Sequence, residues 1–230
     1  MNTVQRQPAA AIGSTGQSIG RTISGNKVIR NTYMLLATTL AFSAVTAGTS
    51  LALNLPHPGL IVTLAGYFGL LFLTSKYRNS AAGLGWVFAL TGFMGYTLGP
   101  ILNSYLALAH GPQLVMTALG TTAAMFVGLS GYALLTRRDF SFMGAFLMVG
   151  ILVAFVGGLG AVFFEIPALS LAVSAMFVLL MSGMILYETG NIINGGETNY
   201  VMATLSLYLD IYNIFVNLLN LLMAFSGNRD

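Results

Sequence analysis

No cysteine occurs among the 230 residues, which excludes disulfides, thiol nucleophiles, iron–sulfur clusters and thiolate metal sites together. Compartment is left open by that absence. Charge is nearly as scarce: nine basic and six acidic side chains make up 7% of the chain, against roughly 25% in an ordinary soluble domain. With 56% hydrophobic residues and a mean hydropathy of +0.82, a soluble fold is excluded and a polytopic helical membrane protein is expected. A transmembrane barrel is excluded too. Its strands would alternate polar with apolar, whereas Phe146 to Val156 is apolar on every face. The net charge of +3 and pI near 9.3 do not indicate nucleic acid as a partner, because the basic residues are scattered between apolar spans and form no basic face. Histidine is limited to His57 and His110, far apart and without ligand spacing, so a metal site is not expected. Glu165 beside Pro167 reads as a loop end.

Residues 1–25 are rich in Gln, Ser, Thr and Gly with almost no large apolar side chains. Such a segment cannot bury enough surface to offset chain entropy and is expected to be a disordered tail. It lacks the apolar core of a signal peptide, so the first span is expected to insert as a signal anchor. Residues 26–230 form the membrane domain. Polar breaks at 54–59, 75–80, 110–112, 137–139, 165–167 and 188–199 divide it into apolar segments 28–53, 59–75, 81–107, 113–136, 140–163, 167–187 and 200–225. Most approach the roughly 20 residues that cross the hydrocarbon. Lys and Arg in short loops are retained in the cytoplasm. A cytoplasmic tail places Arg6, Arg21, Lys27, Arg30, Lys76, Arg78, Arg137 and Arg138 inside and leaves Arg229 outside. The C-terminus and both histidines are then expected outside, at the periplasmic face.

The last segment carries a polar stripe. Ser206, Asp210, Asn213, Asn217 and Asn220 follow one another at three- and four-residue spacing and so share one helical face. Lipid cannot satisfy such a stripe, and an ionised Asp at depth costs at least about 2.5–3.5 kcal/mol. The face is therefore expected to turn into the bundle, as interhelical glue or as the lining of a cavity. Glu188, at the end of the preceding segment, could approach Asp210 on the facing helix. Two carboxylates in low dielectric cannot easily both ionise, so the pair would share a proton. Alone, Glu188 reads equally well as a solvated residue at a helix end.

Two enzyme classes have partial motifs in the chain. Gly128-Leu-Ser-Gly131 matches the Gly-x-Ser-Gly of rhomboid-type proteases, but no span contains the histidine base that Ser130 would need. The Gly-x-Gly-Asp of intramembrane aspartyl proteases is absent, because Leu207-Tyr-Leu209 precedes Asp210. Small residues at Gly95 and Gly99, and at Gly150, Ala154 and Gly158, read as close helix contacts.

Leu186-Tyr-Glu-Thr189 and Leu205-Ser-Leu-Tyr-Leu-Asp-Ile-Tyr-Asn-Ile-Phe215 resemble the transmembrane Bax-inhibitor family. Lys27-Val-Ile-Arg-Asn-Thr-Tyr33, Pro58-Gly-Leu-Ile61, Gly99-Pro-Ile-Leu-Asn103 and Gly195-Gly-Glu-Thr-Asn-Tyr200 resemble its proteobacterial branch, whose members modulate the FtsH protease. The likeness runs from Lys27 to about Phe225. It implies an all-α, seven-transmembrane-helix bundle with the last helix central, and two activities. One is inhibitory binding of the inner-membrane, ATP-dependent protease FtsH; the other is a pH-sensitive calcium leak governed by paired acids, with no resident cofactor. The acid pair maps onto Glu188 and Asp210, the first being Asp in most of the family, so Glu188 is a departure. The family latch also engages an arginine near the end of the second span, where either Lys76 or Arg78 would serve. The leak would run past Ser206, Asn213, Asn217 and Asn220, with calcium or protons as the mobile ions.

Overall fold

The protein is described here from a computed structural model, in full for residues 27–227. Among the described residues seven α-helices follow one another: α1 (Ala11–Ala52), α2 (Leu60–Tyr77), α3 (Ala81–Leu106), α4 (Gly111–Thr136), α5 (Gly144–Phe163), α6 (Pro167–Ile193) and α7 (Tyr200–Ser226). Each is long and apolar enough to cross a membrane, α1 being counted from Lys27. Of the expected disordered tail, residues 1–10 lie outside the described residues, as do residues 228–230, whereas residues 11–25 belong to α1.

Helices are the form these segments must take, because hydrocarbon offers no partner for backbone N–H and C=O groups. Large apolar side chains point outward to meet it, Leu135 being 86% and Ile61 83% exposed. The interior holds a large share of small and polar side chains, including Thr39, Ser43, Ser50, Thr91 and Thr97. That inversion follows from the solvent: lipid tails are as apolar as leucine, so helix association depends on close approach and hydrogen bonds. Gly95 and Gly99 of α3 lie directly against Ser43, Thr46 and Ser50 of α1, leaving no space for a Cβ. On the α5–α6 contact Gly150 lies directly against Leu180, whereas Gly158 stands at ordinary distance from Val173. The small-residue patterns are therefore helix-packing surfaces.

Pro100 stands inside α3 and cannot donate to the carbonyl of Tyr96 one turn back. The Ser50 hydroxyl of α1 donates to that carbonyl instead, at 2.9 Å. The motif Gly99-Pro100 thus brings α1 close enough to complete the helix it interrupts.

Among the described helices α7 is central, packing against α1, α3, α4 and α6. Tyr208, Leu205 and Leu207 are fully buried there, in a core with Leu36, Leu90 and Ile192. Peripheral α2 packs chiefly along α3.

Two boundaries differ from the sequence reading. The sixth helix continues past position 187 to Ile193, so residues 188–193 are helical and the break is confined to 194–199. Thr189 and Gly190 are buried in that added length, Gly190 against Phe140. Before the fifth helix proper comes a single 3₁₀ turn, Ser141–Met143, fixed by the Ser141 N–H donating to Asp139 at 2.8 Å. That turn holds the exposed Asp139 carboxyl below its usual range through its hydrogen bonds with Ser141.

Candidate functional site

The site is built on the α7 face that meets α6. Asn199 starts it: its side-chain oxygen accepts from the N–H groups of Val201 and Met202 at 3.0 and 3.1 Å, capping the helix. Its amide donates to the carbonyl of Arg78 at 3.0 Å and to the side chain of Asn79 at 2.7 Å. Its own N–H donates to Glu197 at 2.7 Å. One side chain thus fastens the start of α7 to the α2–α3 loop.

Less than two turns further, Ser206 directs its hydroxyl at Glu188 of α6. Asp210 follows one turn on, 4% exposed and within electrostatic reach of Glu188. Glu188 is half-buried inside α6, not solvated at its end. The structure therefore brings together the two acids singled out in the sequence. One Asp210 oxygen, Oδ2, is buried and has no hydrogen-bond partner among the described residues.

The asparagines divide into two kinds. Asn213 and Asn217 donate to carbonyls one turn back in their own helix, Leu209 and Asn213, each at 2.8 Å. Asn220 reaches across to α6, donating to Ser174 at 2.8 Å and Ser170 at 3.2 Å. Interhelical glue describes Asn220, whereas Asn217 bonds only within α7 among the described residues. Lys76 and Arg78 are exposed at the end of α2. The Lys76 ammonium sits over the Tyr77 ring, 5.7 Å from its centroid, and Arg78 contributes its carbonyl to Asn199. Among the described residues neither forms an ion pair with Glu188 or Asp210.

Tyrosines around the site were not singled out from the sequence. Tyr67 of α2 lies within electrostatic reach of Asp210. The Tyr208 hydroxyl is bonded to Ser43 at 2.7 Å and donates to the carbonyl of Thr91 at 3.3 Å. Tyr212 meets Thr97. The available signal was the four-residue spacing of Tyr208 and Tyr212 beside the stripe, and for Asn199 its place as a cap before an apolar run. Ser130 is buried and bonded to the hydroxyls of Tyr33 and Thr189. It ties α1, α4 and α6 together.

Residues 25–227 match the family model described as inhibitor of apoptosis-promoting Bax1. The chain belongs to the Bax1-I family. It is 56% identical over 200 residues to the Escherichia coli K12 protein named modulator of FtsH protease YccA, covering 87% of this chain and 91% of the relative. A Pseudomonas aeruginosa protein is 53% identical over 208 residues, 90% of this chain and 93% of the relative. A Vibrio cholerae protein, named only as a membrane protein, is 42% identical over 212 residues, 92% and 95% of the two chains. This Bax1-I chain is accordingly a multi-pass membrane protein, with its acid-bearing helix enclosed by the others.

Proposed function

We propose that this chain is a non-enzymatic inner-membrane protein that binds and restrains an FtsH-type, ATP-dependent membrane protease. The observation that carries this reading is the 56% identity, along nearly the whole of both chains, with a protein named for modulating that protease. The enclosure of Ser130 among hydroxyls, with no histidine in any helix, supports a role without catalysis. The basic residues favour a cytoplasmic N-terminus and a periplasmic C-terminus, which puts the N-terminal residues on the cytoplasmic side, where such a protease would reach them.

Deleting Thr3 to Ser24 tests this. The shortened protein should still insert and still co-purify with the protease after cross-linking, yet outlive the full chain in cells. Failure of the full chain to cross-link to the protease would remove the proposal; unchanged turnover would remove the tail as its handle.

A second reading, a pH-sensitive leak for calcium or protons through the bilayer, is favoured by Asp210 lying within electrostatic reach of Glu188 inside the bundle. In that reading the acids share a proton and their protonation sets the position of α7. Asn213, Asn217 and Asn220 extend the polar path, and Lys76 or Arg78 would have to swing inward to latch it.

A further inference from the structure

Toward the end of the bundle where α7 finishes, a gap lies between α2 and the helices α5, α6 and α7. Tyr67, Leu70 and Leu71 of α2 pack into the core, but Leu60 and Leu64, one to two turns nearer that end, instead line a crevice of about 310 Å³. Its other walls come from α5 and α6, including Phe155, Leu159 and Phe177. α2 meets α5 through the edge of Phe68 against Phe155, with ring centroids 6.3 Å apart; beyond this contact lies the crevice, which is only partly enclosed.

One side of the crevice is polar. Ser170 and Ser174 of α6 and Asn217 and Asn220 of α7 line it. The Asn220 amide is spent on the two serines and the Asn217 amide on its own helix. What remains toward the space are two serine O–H groups as donors and the side-chain oxygens of Asn217 and Asn220 as acceptors. A volume of this size is at the small end of ligand pockets and about twice that of an apolar cavity that admits benzene.

Depth decides what fits. With 27 residues, α7 is about 40 Å long and overreaches a hydrocarbon core of about 30 Å by about 5 Å at each end. Asn220 precedes Ser226 by six residues, about 9 Å along the helix, and so lies just inside the hydrocarbon boundary. Ser170 lies three residues into α6, at the boundary itself. Hydrogen-bonding groups at that level, above apolar walls that continue toward the membrane centre, suit the ester linkages and the upper acyl chain of a phospholipid.

We infer that the crevice between α2, α5, α6 and α7 holds one acyl chain and ester linkage of a phospholipid from the leaflet at the C-terminal end of α7. Bulk lipid lies against the rest of the surface, for instance at Leu152 and Val156, which are 58% and 66% exposed. The crevice differs in enclosing the chain and bonding its linkage.

The test is photolabelling in liposomes of phosphatidylethanolamine and phosphatidylglycerol, using phosphatidylethanolamine with a diazirine on one acyl chain. Labelling around Leu64, Leu159 and Phe177 should exceed that at Leu152 and Val156. Gly158→Phe should reduce the crevice signal by about tenfold and leave the Leu152–Val156 signal unchanged, since the first carbon of its side chain meets only ordinary contact with Val173 at 3.6 Å. Leu64→Trp, from the opposite wall, should do the same and serves if the first variant does not fold. Because the chain has no cysteine, Leu159→Cys gives a separate readout and should resist a charged thiol reagent applied to both faces. Crevice labelling no greater than at Leu152 and Val156, or unchanged by either filling variant, overturns the inference. So does rapid modification of the Leu159→Cys thiol, which would make the crevice a water-filled inlet.

Discussion

Ser50 of α1 donates its hydroxyl to the carbonyl of Tyr96 in α3 at 2.9 Å, the acceptor that Pro100 leaves without a helical donor. Ser50→Ala should therefore orphan a carbonyl in a dry interface and cost about 1–3 kcal/mol, read as a lower thermal midpoint in detergent. Pro100→Ala restores the N–H, so the double variant should lose less than the sum of the two single changes. Strict additivity would show that the two residues are not partners.

Asn199 performs two tasks, capping α7 and holding the α2–α3 loop. Asn199→Ala should cost about 1 kcal/mol for the cap alone, plus the loss of its bonds to Arg78 and Asn79. Asn199→Ser keeps a capping oxygen and removes the amide. It should leave the start of α7 protected from hydrogen exchange while raising exchange in residues 78–80. Equal exchange in the loop of both variants and the parent protein would mean that the loop is held by something else.

The facing acids give the leak reading its sharpest consequence. Asp210→Asn preserves shape and hydrogen-bonding capacity while removing the ionisable group, so the pH dependence of calcium flux from liposomes should shift or vanish, with protease co-purification little changed. Glu188→Gln should act in the same direction. Combining them should add little, because residues that work as one unit are not additive. Wild-type pH dependence in both single variants would leave the pair a structural feature and end the leak reading.

Orientation can be read directly. Single cysteines at His110 and Ser226 should react with an impermeant thiol reagent outside intact inner-membrane vesicles of native polarity, and one at Asn79 should not. His110 precedes α4 and Asn79 follows α2, at opposite ends of the bundle. Labelling at Asn79 alone would invert the topology.

The sequence by itself determined the membrane class, the seven spans and the neighbourhood of Asp210, because hydropathy over twenty residues is a local property and a polar stripe at helical spacing has one inward solution. It also carried enough of the Bax1-I motifs to indicate the family. Only the tertiary structure decided where α6 ends, since the polar run from Glu188 reads as a loop until Thr189 and Gly190 are seen to be buried against neighbouring helices. Likewise, Asn217 and Asn220 are the same residue type on the same stripe, yet one bonds within its helix and the other crosses to Ser174. Tyr67 coming within electrostatic reach of Asp210, Ser50 completing α3 and the gap beside Leu64 also depend on which helix lies alongside which. In lipid, apolarity does not distinguish the buried face of a helix from the exposed one; close contacts and hydrogen bonds between residues far apart in the chain do.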